Sequence, residues 1–313
     1  MIVSPSVLRA LLGLSASLCF AAPPEAEVPL LIFAGQSNMV GYRTDVNTLS
    51  ETERQRQPDV FFFGPNDEGV NWAPIELDQG PTQIDQTAGG RGFGPEAVVG
   101  QTLIEAGRFS RVGEVKYVFN GGASRSFLAA PADAAAGGYS PGILSSWMPR
   151  LKEPGVQSLY EELLARVRAA QDSYRQAFGQ KTYIAGFFWM QGESDAQNES
   201  TAKLYGRNLR RFIVALRRDL NAPNMPFIYG RIRDTDIFPE DAAVRAGQDA
   251  VADPADSLYL PLVACVDTDE FEMFSAVDPQ AGDGPGHYSS KGTWQLGKAM
   301  AQAYLTLTST QHP

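Results

Sequence analysis

The sequence predicts an α/β fold, a parallel sheet with helices on both faces. Three observations predict it. Five apolar runs read as buried strands: Val28–Ala34, Val115–Phe119, Tyr183–Met190, Pro226–Ile232 and Leu260–Val266. Segments of helical period separate them, and strand–helix alternation builds parallel sheets. The first run ends in Gly35-Gln36-Ser37-Asn38-Met39. That places a serine on a tight turn at the carboxyl edge of a strand, where open α/β sheets bind ligands.

The helices follow from periodicity. Gln157–Phe178 carries Leu159, Leu163, Leu164, Val167 and Ala170 on one stripe. Ala202–Leu220 carries Leu204, Leu209, Phe212, Ile213 and Leu216 in the same way. Pro95–Ala106, Asp241–Val251 and Ser290–Leu307 read as further helices. Two stretches break the alternation. Thr44–Gly92 is rich in Asp, Gln, Pro and Gly, and Gly121–Pro149 in Ala, Gly, Ser and Pro. Both leave strand ends, where long loops wall pockets.

The chain has 313 residues, 43% hydrophobic and 20% charged. That suits one large domain with a substantial core. Its net charge of −10, without a basic cluster, argues against nucleic acid or an anionic membrane surface as partner. Arg9, the apolar Ala10–Ala22 and the small residues around Cys19-Phe20-Ala21 read as a secretory signal peptide over residues 1–22. A single domain, 23–313, and a secreted or periplasmic location are the expectations. Cys265 is then the one cysteine left, so no internal disulfide is expected. Within its apolar run it reads as a packed, inert thiol.

The chemistry narrows by counting. There are two histidines, His287 and the penultimate His312. A general-base histidine is therefore His287, in Asp283-Gly284-Pro285-Gly286-His287, just before the last helix. With so few His and Cys, no zinc ligand set is expected. No Gly-x-Gly-x-x-Gly or phosphate loop follows the first strand, so no nucleotide cofactor is expected either. The Gly-x-Ser-x-Gly elbow is absent too, which points to another type of serine hydrolase. Trp189-Met190-Gln191-Gly192-Glu193-Ser194-Asp195 ends the third run. The Gln191 amide can donate to a developing oxyanion, whereas Glu193 and Asp195 suit helix capping or loop tying. Gly121-Gly122 follows the second run and permits a close backbone approach. Trp72, Tyr139 and Trp147 are candidates for stacking on sugar rings, with loop packing the weightier reading.

Together these segments resemble the SGNH (GDSL-like) hydrolases. More narrowly they resemble the sialate O-acetylesterase and acetylxylan esterase group, carbohydrate esterase family six. The Ser37 pentapeptide, the Gly121-Gly122 turn, the Trp189–Asp195 block and the late Asp/His pair stand in family order. The resemblance implies a flavodoxin-like, three-layer α/β/α sandwich with a five-stranded parallel sheet. It also implies a cofactor-free serine esterase that removes O-acetyl groups from carbohydrate.

By the same motifs, Ser37 is the nucleophile and His287 the base. The Ser37 N–H, the Gly122 N–H and the Gln191 side chain form the oxyanion hole. Gln36, Asn38 and Glu193 support the site. The family places its acid three residues before the histidine, and here Asp283 stands four before. Asp278 or a backbone carbonyl is the alternative orienting group. Two other functions fit less of the chain: a lipase-like or thioesterase-like relative for longer acyl esters, and a carbohydrate-binding protein with a dead site.

Overall fold

The computed structural model describes residues 27–66, 69–77, 92–118, 147, 159–274 and 286–309. The expected signal peptide lies outside these residues. So do Asp283, Asp278, Gly121, Gly122, Tyr139 and His312.

The centre of the molecule is a parallel sheet. Strand β1 (Val28–Gly35) is buried at every residue, as its unbroken apolar sequence requires. On one side it pairs with β4 (Val112–Val118), and on the other with β5 (Thr182–Met190). Beyond β5 lie β6 (Phe227–Gly230) and β7 (Val263–Val266), also parallel. These are the five strands that the sequence predicts.

The strand count needs correction, because the sheet has seven. Strand β2 (Gln57–Asn66) runs parallel to β4, and β3 (Gly69–Ile75) runs antiparallel to β2 at the edge. Both come from the stretch that the sequence marks as irregular. Val60, Phe62 and Phe63 of β2 are buried, which explains why it joins the sheet. Pro58 and Pro65 disguise it. Its pairing with β4 covers only Val60 to Phe63, between the two prolines, so neither is asked for a hydrogen bond to β4.

Helices cover both faces. Helix α2 (Glu96–Glu105) packs with α7 (Ser290–Ser309) on one face, where Gly297 lets α7 approach Val98 and the Pro95 carbonyl. The opposite face carries α3 (Leu159–Phe178), whose Ala170 carbonyl accepts the Trp72 indole N–H at 3.1 Å. It also carries α5 (Tyr205–Asp219), whose Phe212 meets Phe187, Trp189 and Phe227. Helix α6 (Asp241–Ala252) lies along α5, with Gly247 against Gly206. The single helix expected over Ala202–Leu220 is two helices, α4 (Glu199–Ala202) and α5, with Leu204 between them.

Strand order places the site. β1 lies between β4 and β5, so the chain leaves it towards one edge and later returns across it towards the other. The carboxyl end of β1 is thus the switch point of the sheet, where connections diverge and open a crevice. The serine turn stands there as helix α1 (Ser37–Val40), a single turn.

Candidate active site

Gly35 makes the turn. Its φ is +147°, and a Cβ there would lie 2.1 Å from the Met190 carbonyl oxygen. That carbonyl instead accepts the Gln36 N–H at 3.0 Å, which ties the turn to β5. The Gln36 carbonyl then takes the N–H groups of Met39 and Val40, and α1 begins. Ser37 is its first residue, so its own N–H has no acceptor within the helix.

His287 approaches from a segment 250 residues downstream, and its Nε2 lies 2.9 Å from Ser37 Oγ. Tyr42, just past α1, packs its ring against the imidazole with centroids 4.7 Å apart. The His287 carbonyl accepts the Phe274 N–H at 3.0 Å, and Tyr288 bridges to Met273. The loop after β7 therefore holds the histidine segment from outside. That loop is itself tied down by Asp269, which binds Arg245 at 2.7 Å and Arg231 at 3.2 Å.

Asn38 and Glu193 tie the two segments together. Asn38 Nδ2 donates to Glu193 Oε1 at 2.6 Å and to the Gly286 carbonyl at 3.2 Å. Asn38 Oδ1 accepts the Tyr288 N–H at 3.1 Å. Glu193 is buried, and desolvation raises its carboxyl above the ordinary range despite the Asn38 bond. Glu193 follows Gly192, at φ +148°, where a Cβ would lie 2.7 Å from Ile232 Cγ2.

Gln191 sits deeper. Its Nε2 donates to Asp195 Oδ2 at 2.6 Å, and the single Tyr205 hydroxyl lies 2.7 Å from the Gln191 carbonyl oxygen and 3.0 Å from Oε1. The carboxamide has two N–H groups, and the Asp195 bond uses one of them. Gln248 Nε2 reaches the Gln191 carbonyl from α6 at 3.3 Å. The carboxamide is thus held by the turn that follows it, through Asp195, and the backbone carbonyl by α6. Among the described residues, no three His, Cys, Asp or Glu side chains converge as metal ligands.

A serine–histidine pair at a sheet switch point admits many families. The family model for carbohydrate esterase, sialic acid-specific acetylesterase, matches residues 27–306. The chain belongs to this family. A probable carbohydrate esterase of Arabidopsis thaliana is 32% identical over 151 residues, 47% of this chain and 48% of that one. The chain thus matches about half the length of this curated relative. The solved structure of an Arabidopsis thaliana protein superposes with a TM-score of 0.63 at 24% identity, covering 90% of this chain and 99% of that one. NanS gives 0.58 at 15% identity, over 92% and 100% of the two chains. A carbohydrate acetylesterase from Xanthomonas citri gives 0.53 at 15%, over 90% and 57%. At these identities the structural likeness is one of fold.

Within this chain, the structure brings together Ser37, Asn38, Glu193 and His287 from three distant motifs. Gln36 is buried, and its Oε1 has no hydrogen-bond partner among the described residues. Trp72 and Trp147 are both buried, Trp147 edge-on to Trp189 at 5.1 Å, so they pack rather than face solvent. Cys265 is half-buried in β7, and desolvation pushes its thiol up. Sequence reasoning missed Tyr42, Tyr205 and Gln248. Tyr42 follows the serine motif closely enough to have been suspected. Tyr205 and Gln248 sit on helices whose pattern signals only packing.

Proposed function

We propose that this chain is an exported serine esterase that removes O-acetyl groups from carbohydrate. One observation carries the reading: the 2.9 Å contact between Ser37 Oγ and His287 Nε2, at the switch point of a carbohydrate-esterase fold. His287 takes the Ser37 proton as Oγ attacks the acetyl carbonyl. The Ser37 N–H, the Gly122 N–H and the second N–H of Gln191 hold the tetrahedral oxyanion. Asp195 and Tyr205 keep the Gln191 carboxamide from rotating. His287 then protonates the departing sugar oxygen, and water repeats the cycle on the acetyl-enzyme. Asp283 orients the imidazole through Nδ1, and residues 1–22 direct export. No helix among the described residues is long and apolar enough to cross a membrane.

The acyl group is small in this reading. Ser37 is 6% exposed, with His287 against its Oγ and Tyr42 packed on the imidazole. Replacing Ser37 by Ala should abolish hydrolysis of p-nitrophenyl acetate while the protein stays folded. Retained hydrolysis in that variant would refute the assignment. A chain-length series on p-nitrophenyl esters separates an acetylesterase from a lipase-like relative. Acetate release from acetylxylan and from O-acetylated sialic acid then identifies the sugar.

A further inference from the structure

We infer that the Asn38 carboxamide, backed by Glu193, is the group that positions His287 on Ser37; the role rests on the esterase reading above. The two peptide groups that Asn38 binds are those on either side of His287. Nδ2 donates to the carbonyl of Gly286, and Oδ1 accepts the N–H of Tyr288. One planar side chain therefore brackets the residue that bears the imidazole. Gly286 has no side chain to hold its own backbone, so the bracket restrains a permissive position.

The remaining Nδ2 proton goes to Glu193 Oε1 at 2.6 Å. Both N–H groups and the oxygen of Asn38 are thereby engaged, and the residue is 4% exposed. Glu193 fixes which way the carboxamide faces, because flipping it would set two oxygens against each other.

The consequence is geometric. Asn38 is the next residue after Ser37 on a single helical turn. Nucleophile and bracket move as one body. The Ser37–His287 distance is thus set locally, not through the 250 residues of chain that separate them. The bonds from Phe274 and Glu272 hold the histidine segment to the β7 loop, which is not built on the nucleophile's turn. The Asn38 side chain bonds to Glu193, Gly286 and Tyr288 and not to Oγ or Nε2, so it positions and does not react.

The test uses the full chain, four single variants (Asn38→Ala, Asn38→Asp, Glu193→Ala and Glu193→Gln) and one double variant. Three readouts are taken: the rate of Ser37 labelling by a fluorophosphonate, kcat and KM on p-nitrophenyl acetate, and thermal unfolding. Asn38→Ala and Asn38→Asp should lose about 10²-fold or more in both labelling and kcat, the scale of a misplaced catalytic group, with KM within about threefold. Asn38→Asp keeps the shape and the acceptor but not the donors, so it serves if Asn38→Ala fails to fold. Glu193→Gln keeps the carbonyl acceptor and should stay within about tenfold of wild type. Glu193→Ala should fall to the level of Asn38→Ala, and the double variant Asn38→Ala/Glu193→Ala no further. Folded Asn38 variants that label at the wild-type rate, or lose only KM, overturn the role. So does equal behaviour of Glu193→Gln and Glu193→Ala. A wild-type protein that neither labels nor hydrolyses removes the esterase reading, and this role with it.

Discussion

Replacing Lys116 by Met should destabilise the protein in a way that depends steeply on pH. Lys116 Nζ lies 2.8 Å from Glu96 Oε1, with the two side chains 2% and 0% exposed. Nζ also donates to the Val40 carbonyl at 3.1 Å, at the end of the Ser37 turn. Burial raises the Glu96 carboxyl, and the Lys116 ammonium opposes that rise. Met keeps the length of the side chain and removes the charge. The carboxyl keeps the Gly94 N–H at 2.9 Å but has lost its cation, and it then takes up a proton, because a buried carboxylate without a counter-charge costs more.

The magnitude follows. An unfolded Glu ionises near pH 4.3, so keeping Glu96 protonated in the folded variant at pH 7 costs at most about 2.7 pH units, or about 3.7 kcal/mol, less the cost that the raised carboxyl already carries in the wild type. At pH 5 the same reasoning leaves about 1 kcal/mol. The sign is set by proton binding. The folded variant binds the proton and the unfolded chain releases it, so stability falls as pH rises. Urea unfolding of variant and wild type at pH 5 and pH 7 measures the difference. Lys116→Met/Glu96→Gln should recover most of the loss at pH 7. An equal loss at both pH values, or a double variant no better than the single, would refute the reasoning.

Other outcomes follow from the same structure. Glu114 is buried beside Glu96, neither of its carboxyl oxygens has a good partner among the described residues, and burial raises it well above the ordinary range. Glu114→Gln should therefore be about 1–3 kcal/mol more stable than wild type at pH 8, with the gap closing towards pH 4. Parallel pH–stability curves would count against it. Gly35→Ala places a methyl 2.1 Å from the Met190 carbonyl oxygen at φ +147°. It should cost about 2 kcal/mol or more and lower kcat by moving Ser37, which thermal unfolding and p-nitrophenyl acetate assays read together.

Much of the molecule was legible in its residues. β1 and the last six residues of β5 are unbroken apolar runs, and such runs leave a strand no solvent-facing side. The helical stripe Leu209, Phe212, Ile213 and Leu216 is buried as its period requires. The outer strands β2 and β3 were not legible, because Pro58, Pro65 and Gly64 carry the local signals of a loop. Only the neighbouring β4 gives Val60, Phe62 and Phe63 somewhere to pack. The buried Glu96, Glu114 and Lys116 were equally hidden, since charged residues on a strand and a helix read as solvent-facing until the other layer is in place.

The sequence by itself determined the serine turn, the one histidine outside the extreme terminus, and the parallel sheet beneath them. These depend on residue type and on short-range pattern. Tertiary structure alone decided that Asn38 brackets His287, that Glu193 backs Asn38, and that Tyr42 covers the imidazole. Those relations join positions 155 to 250 residues apart. No local propensity encodes such a distance; it exists only once β1 and β5 lie side by side and the chain after β7 folds back to the carboxyl end of β1.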